Sequence, residues 1–96
     1  MKKINIREKF SSDFITRAAG EKLRLMILEA AEKGEVVEID FSNLMIASTS
    51  FFDEGFAKLA DSGWTHEKMN TAIVLKNIHP KDKEILEELF KRREKM

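Results

Sequence analysis

Three consecutive hydroxyl side chains, Ser48, Thr49 and Ser50, stand directly before Phe51-Phe52-Asp53-Glu54. Hydroxyls at the start of a helix have two uses. One caps the free N–H groups of the first turn and adds about 1 kcal/mol, while its neighbours satisfy backbone groups in a tight turn. The other use is to accept a phosphoryl group, which the helix dipole and free amides favour. Such a group adds about −1.5 to −2 charge beside Asp53 and Glu54, enough to repel an acidic partner. Ser48, Thr49 and Ser50 are therefore candidate switch residues. Phe51 and Phe52 point about 100° apart on a helix, so one core cannot take both. Phe51 is the candidate for the surface, either as an ordinary exposed aromatic or as an anchor for a partner.

Carboxylates offer a second chemistry. Asp40, Asp53 and Glu54 could do acid–base work or hold a cation. Asp40 also closes a strand, the place where open α/β sheets bind ligands. With Ser42 it forms a candidate small-ligand site. Against this, no His or Lys lies nearby in sequence, and no glycine-rich phosphate loop is present. Asp40 can equally cap the turn, with Asp53 and Glu54 favouring a helix start. His66 and His79 lack further ligands at metal-site spacing, so no metal and no cofactor are expected. Lys91, Arg92, Arg93 and Lys95 could touch phosphates. Glu84, Glu87, Glu88 and Glu94 share their helix, however, and i, i+4 ion pairs are expected instead.

These residues need elements to position them. Ile4 and Ile6 alternate with polar neighbours in Lys3–Arg7, a half-buried strand. Phe10-Ser11-Ser12-Asp13 reads as a turn, with Phe14 and Ile15 packing as the chain enters a helix. Leu23, Met26, Ile27, Ala30 and Ala31 mark one helical face between Ala18 and Lys33, widened by Leu25 and Leu28. Gly34 stops that helix. Val36–Phe41 is apolar enough to be a central strand buried on both faces, and Ser42-Asn43 bends away from it.

A second helix is expected from Ser50, with Ser50 as its cap and Asp53 as an acidic variant of the capping box. Phe52, Phe56, Leu59 and Ala60 form its core face, and Ser62-Gly63 ends it. Gly55 within it points to close approach of another backbone, expected from the sheet. Trp64–Asn70 reads as a loop or ragged turn, and Thr71–Leu75 as a buried strand. Pro80 opens a last helix, with Ile85, Leu86, Leu89 and Phe90 inward and a frayed charged tail. The order is β-α-β-α-β-α, which favours a largely parallel sheet. The first strand could pair antiparallel at the edge.

Composition bounds the function. The 96 residues suit one domain, expected over 1–96. Apolar residues make up 43% and charged residues 35%, a balance that fits a folded core with a solvated surface. There is no Cys, which excludes disulfides and thiolate metal sites and is compatible with the cytoplasm. Lys plus Arg and Asp plus Glu both number 17, so the basic excess of a nucleic-acid binder is missing. No apolar run approaches the roughly 18 residues of a membrane span, and charges interrupt MKKINIREKF too early for a signal peptide.

The segment from Ile39 to Leu59, IDFSNLMIASTSFFDEGFAKL, resembles the core motif of the STAS-like domains of unknown function. Asp40-Phe41-Ser42 and Ser50-Phe51-Phe52-Asp53-Glu54 carry the resemblance, and Arg17–Arg24 and the last strand and helix extend it. Those domains are similar to STAS proteins, the anti-sigma-factor antagonists. That relation implies a sheet with helices on one side and a switch loop before the second helix. The antagonists carry Asp-Ser-Ser/Thr-Gly-Leu there and are phosphorylated by a partner kinase just after the Asp. The matching position is Thr49. Ser48 stands in place of the Asp, and Phe51-Phe52 in place of Gly-Leu. Ser48 and Ser50 remain alternative sites, as does docking without modification.

The expectation is a cytoplasmic regulatory module that binds a protein, such as a kinase-like anti-sigma factor, and catalyses nothing. Phe51 would anchor the partner, with Asp53 and Glu54 as a charged rim. Neither nucleic acid nor membrane is expected as a partner. A small-ligand or nucleotide site at Asp40 and Ser42 is one alternative. A homodimer through exposed aromatics is another.

Overall fold

The computed structural model describes residues 1–10, 16–42 and 44–95. The elements run β1 (Lys2–Asn5), α1 (Ile6–Phe10), α2 (Arg17–Glu32), β2 (Val37–Asp40), α3 (Thr49–Gly55), a 3-10 segment (Ala57–Ser62), α4 (His66–Ala72), β3 (Ile73–Lys76) and α5 (Pro80–Glu94). The sheet order is β1-β2-β3, and both pairings are parallel, β1 included. Ile4, Ile39 and Leu75 lie in register on the face that the helices cover. Lys3, Glu38 and Val74 are in register on the other face. The result is a parallel α/β sheet with its helices on one face.

Several expected elements change for identifiable reasons. β1 stops at Asn5 because the Asn5 side chain accepts the Glu8 N–H at 3.0 Å and starts a helix at Ile6. The side-chain cap overrides the alternation that extended the strand to Arg7. Of the expected turn at Phe10-Ser11-Ser12-Asp13, Phe10 instead closes the helix that Asn5 caps. Ser11-Ser12-Asp13 and the packing of Phe14 and Ile15 lie outside the described residues, as does Asn43 of the bend. β2 is central, but only Val37 and Ile39 are fully buried, and Glu38 and Asp40 are half-buried. Trp64–Asn70 is more ordered than expected. Thr65 caps α4 through the Lys68 N–H at 3.1 Å, and Trp64 is buried.

α2 follows its periodicity, with Leu23, Ile27 and Ala30 in the core and Leu25 outside at 54% exposure. Thr16 caps it, and Gly34 leaves it in the left-handed conformation. α5 is the helix expected after Pro80, and it does not fray at Lys91 but continues to Glu94.

The second expected helix is divided. It starts at Thr49, its α-helical part ends at Gly55, and the chain goes on as a 3-10 segment that Gly63 closes at φ 89°. This short α3 is enclosed by its neighbours, so Phe51 and Phe52 are both fully buried. Phe51 meets the Phe10 ring edge-on at 6.3 Å, and Phe52 faces Phe41 and Phe56 at 6.2 Å and 6.0 Å. A helix covered on more than one side can bury adjacent residues. That overturns the expected surface position of Phe51.

The glycine in α3 does mark a close approach, but to α2 and not to the sheet. A Cβ on Gly55 would lie 3.4 Å from the Gly20 carbonyl oxygen. A Cβ on Gly20 would lie 2.7 Å from the Phe51 carbonyl oxygen and 2.8 Å from the Glu54 Cβ. Gly20 is thus the residue that lets α3 sit on α2. Gly20→Ala is expected to lower stability by about 2 kcal/mol or more, since the colliding atoms include backbone. Gly55→Ala should change it by no more than about 1 kcal/mol. Urea unfolding of both variants tests this, and equal losses would contradict it.

Candidate functional site

The geometry of the strand ends comes first in the chain. β2 delivers Asp40 beside the last residues of its two neighbours. Asp40 Oδ1 accepts the Ser42 N–H at 2.8 Å and the Asn77 side-chain amide at 2.9 Å. Ser42 Oγ in turn accepts the Asn5 amide at 2.9 Å. Asn77 and Ser42 adopt left-handed φ values of 57° and 50°. The Asn77 amide, followed by the Ser42 N–H, holds the Asp40 carboxyl below its usual range. These polar groups latch the ends of β1, β2 and β3 together. Four surface clefts with volumes between about 110 and 500 Å³ have linings that include neither Asp40 nor Ser42.

The chain then crosses from the sheet to α3 without regular structure. Leu44 and Ile46 point inward, whereas Met45 is 53% exposed and Ala47 and Thr49 are exposed. The Leu44 N–H reaches the Phe41 carbonyl at 2.8 Å. Beneath the loop, Asp82 of α5 accepts the Ile46 N–H at 2.7 Å and the Ala47 N–H at 2.8 Å. Asp82 is fully buried, yet nothing in its sequence context distinguishes it from an ordinary acidic residue in a helix's first turn.

The three hydroxyls separate at this point. Ser48, not Ser50, is the N-cap, and its Oγ accepts the Phe51 N–H at 3.1 Å. Thr49 opens α3 on the surface, and Ser50 is half-buried. Thr49 shares a cleft of about 110 Å³ with Ile85, Glu88, Leu89 and Arg92. Glu88 and Arg92 are paired at 2.6 Å, as the i, i+4 spacing suggests.

Asp53 does not reach back to complete a capping box. Arg93 of α5 grips it with two parallel bonds of 2.7 and 2.8 Å, and Arg17 adds a third at 3.2 Å. Glu54 is buried and meets Lys58 at 2.7 Å and both Arg17 and Arg24 at 3.0 Å. Arg24 also donates to the Glu54 backbone carbonyl. Arg93 continues to Asp61 at 2.8 Å. Asp53 and Glu54 therefore link α2, the 3-10 segment and α5, rather than forming an outward charged rim. Arg17 and Arg24 lie seven residues apart, two turns along one helix face. That spacing was the available sequence signal for the network.

The histidines are separate. His66 contacts Glu87 and Asn70 on α5 and α4, and His79 caps α5 by accepting the Lys81 N–H at 3.1 Å. Among the described residues, no group of three or more His, Asp or Glu side chains is placed to hold a metal. Nor is any helix there long and apolar enough to cross a membrane.

The network makes a testable demand on acid stability. Lys58 first, then Arg24 and Arg17, hold the Glu54 carboxyl at about 2, against a usual value near 4.5. Arg93 lowers Asp53 in the same direction. A carboxyl depressed in the folded state stabilises the fold above its unfolded pKa, and that contribution disappears as pH falls through the folded value. The wild-type urea midpoint should therefore fall between about pH 4.5 and pH 2. Glu54→Gln should start lower at neutral pH, by about 2 kcal/mol, and show a shallower acid slope. An unchanged slope would contradict the assignment.

No curated protein and no solved structure matches the chain significantly. The family model of the STAS-like domain of unknown function matches residues 19–83, from the first turn of α2 through the latch, the loop and α3 to the first turn of α5. With about two thirds of its length matched to that model, the chain belongs to the STAS-like domain family.

Proposed function

We propose that this chain is a regulatory protein-interaction module whose docking element is the loop 44–49. One observation carries the reading. A stretch without regular structure is fastened from beneath by a buried carboxylate, and it turns Met45, Ala47 and Thr49 outward. A loop held in a single conformation loses less freedom on binding than a mobile one. Family membership and the resemblance to anti-sigma-factor antagonists support a regulatory role.

In this reading Met45 takes the anchoring part that Phe51, being buried, cannot play. A flexible apolar side chain at a loop tip suits adaptable protein contact. Thr49 is the switch residue, because its side chain is exposed while the Ser48 hydroxyl caps α3 and Ser50 is half-buried. A phosphoryl group on Thr49 would place about −1.5 to −2 charge on the docking surface. The partner is a kinase-like ATPase acting as an anti-sigma factor, and the module works in the cytoplasm by binding and release rather than by catalysis.

A photo-crosslinking amino acid at position 45, introduced in native cells, should give one discrete protein adduct. The same group at Val36 or Val74, both exposed and away from the loop, should not. Thr49→Asp should remove the adduct, and Met45→Asp should weaken binding to the identified partner by about 2 kcal/mol or more. Incubation with that partner and ATP should add one phosphate to intact mass, absent in Thr49→Val. No adduct from position 45, or the same adduct from all three positions, contradicts the docking reading.

A further inference from the structure

The carboxylate of Asp82 has no place in the ion-pair network, yet it is fully buried. No salt bridge reaches it among the described residues. Its two oxygens are met by two consecutive backbone N–H groups, those of Ile46 and Ala47, which lie more than thirty residues earlier in the chain. Ala47 sits at φ 51°, a left-handed conformation that an alanine adopts only when its surroundings hold it there. A buried charge needs hydrogen bonds, and a strained loop needs an anchor. Each supplies what the other lacks.

The same helix reaches the other side of the site. Arg93 of α5 chelates Asp53 within α3, while Asp82 near the start of α5 holds the residues just before α3. The Ser48 cap lies between these two attachments. α5 therefore fixes both the conformation of the loop and the position of the helix that follows it.

We infer that Asp82 is the positioning residue of the docking loop, and that its clasp on the Ile46 and Ala47 amides sets whether Met45 and Thr49 are presented to a partner. The consequence for binding rests on the proposed docking role, while the clasp itself does not. With the clasp formed, Ala47 stays left-handed and the loop is ready to bind. With it broken, Ala47 relaxes to ordinary backbone angles and the exposed residues lose their fixed placement. The clasp thus ties the conformation of the loop to α5, which carries Asp82.

Amide hydrogen exchange on the free 96-residue chain tests this without a partner. In the wild type, the Ile46 and Ala47 amides should exchange at least about 100-fold more slowly than unstructured amides, although they lie in a loop. In Asp82→Asn, where the side-chain amide brings a donor against these N–H groups, their protection should fall at least about tenfold relative to Ile39 and Phe52. Unprotected Ile46 and Ala47 amides in the wild type overturn the clasp, and need no variant to fold. Protection that falls equally at Ile39 and Phe52 also overturns it, because Asp82 would then only support global stability. If the amides behave as expected, Asp82→Asn should also lower crosslinking from position 45 several-fold. Failure of that crosslink in the wild type counts against the docking reading and leaves the clasp standing.

Discussion

Two adjacent carboxylates, Asp53 and Glu54, are drawn into the protein by cations from three directions. Arg17 and Arg24 come from α2, Lys58 from the 3-10 segment and Arg93 from α5. Ion pairs of this kind are poor evidence of extra stability, because desolvation offsets much of the attraction. Their geometry matters more. Arg93 holds Asp53 through two parallel bonds, which fix orientation as well as distance. On its other side α3 rests on α2 at Gly20, where no larger residue fits without displacement. α3 is short, and its place is set by these contacts and not by its own helical propensity.

The placement of α3 determines the loop before it. The chain leaves β2 at the polar latch of Asp40, Ser42, Asn5 and Asn77, and must reach the Ser48 cap within a few residues. Left-handed turns at Ser42 and Ala47 accomplish this. Leu44 and Ile46 dip into the core, so Met45 between them and Ala47 after them face out. Asp82 secures the end of that path. The outward residues are thus a consequence of fold mechanics, and their fixed presentation is what suits them to recognition.

Much of the architecture was legible because burial imposes periodicity. The α2 face, the central β2 strand and the Pro80 start of α5 follow from spacing that packing enforces. The misplacements have physical causes too. Phe51 looked too many for the core because amphipathic reasoning assumes one buried face, and α3 has more. The cap fell on Ser48 rather than Ser50 because three adjacent hydroxyls are equivalent in sequence, and only the path from Phe41 chooses among them. Asp53 and Glu54 looked like a rim because their arginine partners lie about 30 to 40 residues away, although Lys58 stands only one helical turn from Glu54. Asp82 was not singled out, since a carboxylate's long-range acceptor role leaves no local pattern.

The account turns on the loop being the surface that meets a partner. Titration of the isotope-labelled chain with the crosslinked partner, purified, and read by backbone amide chemical shifts, tests that most directly. The account predicts the largest shifts at Met45, Ala47 and Thr49, with lesser ones at Glu88 and Arg92 beside them. Shifts concentrated on the open sheet face at Lys3, Glu38 and Val74, with the loop unmoved, would contradict it.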